Sequence, residues 1–145
     1  MNDRSIEPKI LPLVEAINWT KLFRTFSSCQ GHYGDDEQDQ YMDRNNADVR
    51  FDPLEGTTLE MTEHFITYLM TEFDKRHSFA PIILTGYKLY APDNDYRSSF
   101  VFVIELKPFD REKKPIQKRN DTDKAILQAA AIVKEYMTYL SNIRR

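Results

Sequence analysis

Apolar residues recur along this chain in two rhythms, one with a helical period near 3.6 and one alternating. The changes of rhythm divide the chain into seven segments. Ile10, Leu13, Val14 and Ile17 have helical spacing and predict a first helix over about residues 7–23. Pro8 fits its first turn, although Pro12 is equally able to set a later start. Residues 24–28, rich in Thr, Phe and Ser, then read as a short strand, and "ADVRFDP" places Val49 and Phe51 between polar neighbours as a half-buried strand does. The polar stretch between these strands is long for a plain connection.

A second helix is announced by Thr57 and Glu60, which have the spacing of a capping box. Leu59, Thr62, Ile66, Leu69 and Phe73 continue it as a stripe, and it ends near His77, ahead of Pro81. "PIILTGYKLY" and "SSFVFVIEL" flank "APDNDYR" and predict a hairpin. Phe100, Phe102, Ile104 and Leu106 share one face of its second strand. A third helix, capped by Asn120 or Asp121, turns Ile126, Ala130, Val133, Met137 and Leu140 inward. The order α-β-β-α-β-β-α predicts an α+β two-layer sandwich: a mostly antiparallel sheet of about four strands covered by three helices.

Composition narrows the setting. The chain has 145 residues, a length that suits a single domain over residues 1–145, and its eight Tyr, nine Phe and one Trp supply apolar bulk for one core. Its one cysteine excludes an internal disulfide. There is no run long enough for a membrane span and no signal-peptide core at the start, so the expected setting is cytoplasmic with no membrane partner. A net charge of −3 excludes a globally basic nucleic-acid binder. The charge is uneven, however. Six acids lie between Asp35 and Asp48 against Arg44, whereas "REKKPIQKR" at 111–119 carries five basic residues and one acid. Lys113, Lys114, Lys118 and Arg119 are therefore the candidate RNA contacts, with two solvated loops of opposite sign as the plainer alternative.

Candidate chemistry gathers at "SSCQGH". This segment follows a strand and opens the long polar loop, a frequent location for binding groups. Ser27 and Ser28 offer hydroxyls, Gly31 allows a positive φ, and the N–H groups around it have the makings of an anion nest. Cys29 and His32 are candidate catalytic residues, the thiol as nucleophile and the imidazole as acid or base, and Arg50 on the neighbouring strand is a candidate charge clamp. Cys29 and His32 also have metal-ligand spacing. A closed zinc site would require the distant His64 and His77 as well, and no metal is expected. The alternative is a buried thiol beside a simple turn.

A rival constellation lies in the hairpin. Pro92-Asp93 and Glu105-Leu106-Lys107 resemble the split acidic motif of Mg-dependent nucleases of the PD-(D/E)xK class. If "APDNDYR" is the turn, Asp93 lies at its tip and Glu105 far down the strand, about 30 Å away. Phe100 and Phe102 imitate the RNA-stacking aromatics of sheet surfaces, although their period of two beside Ile104 and Leu106 suits a core.

The segment "AINWTKLFRTFSSCQGH" resembles the "TTSSCSGR" stretch of the tRNA wybutosine-synthesising methyltransferase family, the third enzyme of that pathway. "VRFDP", "LTG" and "YMTYLSNIRR" resemble further segments of the family in the same order. The resemblance implies an α+β fold, S-adenosylmethionine as cofactor, a modified guanosine of tRNA as substrate, and a role for Ser27, Ser28, Cys29 and Gly31. His32 stands where that family has arginine. A binding module with no chemistry, using the same turn for a small molecule or RNA, is the third reading.

Overall fold

The computed structural model describes residues 6–31, 46–92, 98–110 and 112–143. Three helices and four strands follow in the expected order: α1 (Leu11–Trp19), β1 (Phe23–Cys29), β2 (Ala47–Pro53), α2 (Leu59–Arg76), β3 (Ile82–Pro92), β4 (Ser98–Pro108) and α3 (Pro115–Ile143). The fold is α+β. The strands form one antiparallel sheet in the order β1-β2-β4-β3, so β4 lies between β2 and β3. Among the described residues no helix is long and apolar enough to cross a membrane.

Alternation explains why only one face of the sheet carries helices. Ala47, Val49 and Phe51 of β2, Phe102, Ile104 and Leu106 of β4, and Ile82 and Leu84 of β3 are all buried in a single cluster with the apolar sides of the helices. Aromatic rings fill its centre. Phe51 meets Phe23 edge-on at 5.2 Å and Phe102 at 5.9 Å, while Phe65 of α2 meets Tyr136 of α3 at 5.1 Å. Each of these rings removes a large apolar area from water and is therefore a main source of stability.

Three boundaries differ from the sequence reading, each for a local reason. Helix α1 is shorter at both ends, with Pro12 in its first turn. The N-cap of α2 is Thr58 rather than Thr57, because the Thr58 hydroxyl accepts from the Met61 N–H at 3.1 Å. Helix α3 starts at Pro115, not at Asn120 or Asp121. Proline suits the first helical position, and the Gln117 side chain accepts from the Lys114 N–H at 3.0 Å, which is half of a capping box. The core assignments also shift. Leu59 is 39% exposed, and Phe65 rather than Leu59 anchors α2. Phe100 is 40% exposed because β3 and β4 extend beyond the apolar face of α2.

Candidate functional site

Among the described residues the other face of the sheet has no helix on it, and cross-strand register sets its rows. Cys29 lies opposite Asp48, Asp48 opposite Glu105, and Glu105 opposite Thr85. The adjacent row runs Ser27, Arg50, Val103 and Tyr87. Opposed residues in an antiparallel sheet share a face, so eight residues from four strands form one surface. A bulge between Thr25 and Ser27 turns Phe26 onto this side, where it is 41% exposed. Val103 is buried there, apart from the helix-side core.

The turn at the end of β1 is held from outside the sheet. Gly31 has φ +88°, the left-handed region anticipated for it. Gln30 donates its N–H to Glu7 Oε1 at 3.1 Å, and its own side-chain oxygen accepts from the Lys9 N–H at 2.8 Å. The lead-in to α1 thus latches the turn. Glu7 also reaches the Cys29 thiol, and the Gly31 N–H donates to its sulfur.

Electrostatics distinguish the groups on this surface. Burial pushes the Cys29 thiol up; the Gly31 hydrogen bond pulls the other way, and the charges of Glu7 and Asp48 add to the rise. A nucleophilic thiolate is favoured by the opposite surroundings, a neighbouring cation or helix N-terminus. Burial also raises Asp48; Arg50 lowers it part of the way, and Glu105 raises it further. Among the described residues the Asp48 carboxylate makes no hydrogen bond. Burial would raise Glu105 too, but the hydrogen bonds from Lys107 and Tyr87, with the charges of Lys107 and Arg50, leave it lowered. Lys107 Nζ stands 2.8 Å from Glu105 Oε2, while the Tyr87 hydroxyl donates to Oε1. Tyr87 is pushed up to about 12, first by burial and then by its bond to Glu105 and that carboxylate's charge.

The predicted site residues separate accordingly. Ser27, Cys29, Arg50 and the Gly31 turn come together. Ser28 does not join them: it pairs with Val49 and so faces the helices. His32 and Asp93 lie outside the described residues. Glu105 is seven positions along β4 from Ser98, about 23 Å away. The acid opposite Glu105 on the neighbouring strand is Asp48. Both Glu105 oxygens are already engaged by Tyr87 and Lys107. Among the described residues no group of three His, Cys, Asp or Glu is placed to hold a metal. His64 hydrogen-bonds Tyr136 through Nδ1 at 2.9 Å, and His77 caps the end of α2, so neither approaches Cys29.

The basic segment is also reshaped. Lys114 precedes α3, Lys118 and Arg119 belong to its first turns, Lys113 Nζ is 2.8 Å from Asp121, and Arg119 is 2.7 Å from Asp123. Lys118 has a partner as well. Two of the four candidate phosphate contacts, Lys113 and Arg119, are thus ion-paired with acids of α3. A groove of about 340 Å³ between the α2–β3 loop and α3, lined by Arg76, His77, Phe79, Lys124 and Gln128, contains none of the predicted site residues. Its Arg76 is held by Glu135 at 2.6 Å.

Sequence reasoning missed Glu7, Asp48, Tyr87 and Thr85 as members of the surface. Asp48 and Arg50 are two apart in an alternating strand, which was a sufficient signal for one shared face. Comparison with known proteins adds no assignment: no family model, curated protein or solved structure matches the chain.

Proposed function

We propose that this protein is a binding module that seats a nucleotide-like ligand, free or within RNA, on the helix-free sheet face beside the SSCQG turn. One observation carries the reading. The half-buried Asp48 carboxylate, with no hydrogen bond among the described residues, faces the same side as the exposed Arg50 guanidinium and the Tyr87 ring. Each group has a counterpart in such a ligand. A carboxylate accepts from the amino and imino edge of a base, a guanidinium clamps a phosphate, and an exposed ring offers a stacking surface. Phe26 extends the aromatic surface at the β1 edge. The raised thiol pKa favours binding over thiolate chemistry at Cys29.

Calorimetric titration with the common nucleoside monophosphates and with a short single-stranded RNA tests this. Saturable binding is expected, and Arg50→Ala should weaken it about tenfold or more, the loss typical of a charged hydrogen bond. Arg50 is exposed and outside the core, so the variant should keep its fold. An affinity unaffected by Arg50→Ala, or no binding at all, overturns the reading. S-adenosylmethionine belongs in the same series. Its binding, with mononucleotides inert, would favour the methyltransferase reading implied by the SSCxG resemblance.

A further inference from the structure

The two edges of the sheet are treated differently. Edge strand β1 is interrupted by its bulge, and the Asn18 side chain caps the Thr25 N–H at 3.1 Å while its amide group donates to the Thr25 hydroxyl at 2.8 Å. Those are ordinary ways of blunting an edge. Edge strand β3 has no bulge, and the one side chain on its open edge among the described residues is Met70, at Gly86. It pairs with β4 over eleven residues with no register shift and contains no proline before Pro92. Its one charged residue, Lys88, is bound to Glu63 at 2.6 Å and lies over the Phe100 ring, so it offers no free gatekeeping charge. Ile83, Tyr87, Leu89 and Tyr90 are all exposed on this strand, Tyr90 to 61%.

The backbone direction is also fixed. The Gly86 N–H points away from β4 and reaches Met70 Sδ at 3.2 Å. Even-numbered β3 residues therefore turn their N–H and C=O groups to the open edge, and a thioether is a weak acceptor that a carbonyl readily replaces.

We propose that β3 pairs antiparallel with β3 of a second copy of this chain, around a two-fold axis at Gly86. The strand is self-complementary in that register. Ile83 faces the other copy's Leu89, Thr85 faces Tyr87, Ile82 faces Tyr90, and Leu84 faces Lys88. Apolar partners thus meet on the helix-free face, and the two Lys88 ammonium groups stay apart, whereas an axis at Lys88 would oppose them. Gly86 opposite itself leaves the axis free of side chains. The pairing closes on itself, and the bulged β1 edge prevents further growth, so the product is a dimer and not a fibre.

Sedimentation of the full chain over a concentration series is expected to show a species of twice the 17.2 kDa chain mass. In that species the Leu84, Lys88 and Tyr90 amides should exchange with deuterium about tenfold or more slowly than in the dilute monomer. Leu89→Lys should give a monomer with the parent's circular dichroism and melting temperature, because Leu89 is 38% exposed and outside the core. A monomer at every concentration overturns the proposal. So does a dimer whose Lys88 and Tyr90 amides gain no protection, and so does a Leu89→Lys variant that dimerises as tightly as the parent.

Discussion

Cys29 shows how far a single side chain is governed by neighbours remote in sequence. Its thiol is half-buried beside Glu7 and Asp48, and both carboxylates oppose ionisation. Alkylation by iodoacetamide should therefore reach half its maximal rate at a higher pH in the folded protein than in the unfolded chain. Glu7→Gln should move that midpoint down, since it removes one of the opposing charges. A folded midpoint at or below the unfolded one would contradict the geometry of the turn. The positive φ of Gly31 was legible from the letters, because a glycine after a strand and before a polar run is the usual carrier of a reversal. The Glu7 contact was not. It arises only when the lead-in to α1 folds back on the end of β1, and no local pattern in residues 6–10 signals it.

At the scale of elements, register and close approach matter more than propensity. An added Cβ at Gly86 would meet Ile66 Cγ2 at 2.3 Å, so this glycine is what allows α2 to lie directly on β3. Gly86→Ala should destabilise the fold by about 1–3 kcal/mol in chemical denaturation, the usual cost of overpacking a core. Combining it with Ile66→Ala should recover part of that loss, and simple additivity of the two would show that they do not touch. The helix stripes, the hairpin and the alternation of β2 were all readable, since each follows a single period. The start of α3 was not, because a dense run of lysine and arginine resembles a solvated linker. The ion pairs of Lys113 with Asp121 and Arg119 with Asp123 become visible only once the segment is helical.

Among the described residues one sheet face is closed by three helices and the other carries none, and the proposed ligand site lies on the second. The two-layer arrangement was legible because the alternating strands have one apolar face and the helices one apolar stripe each. Which polar residues meet on the open face was not, since it depends on β4 inserting between β2 and β3. That insertion brings Asp48 of β2 beside Glu105 of β4, two acids far apart in the sequence.

Backbone amide chemical-shift mapping of the isotope-labelled chain, titrated with a nucleoside monophosphate or short single-stranded RNA that binds, tests the open-face site most directly. The expected result is a continuous patch of perturbations over Ser27, Cys29, Asp48, Arg50, Tyr87 and Glu105, with the α3 residues Lys118 and Arg119 unmoved. Perturbations confined to α3 or to the groove beside the α2–β3 loop, with the sheet face silent, would contradict it.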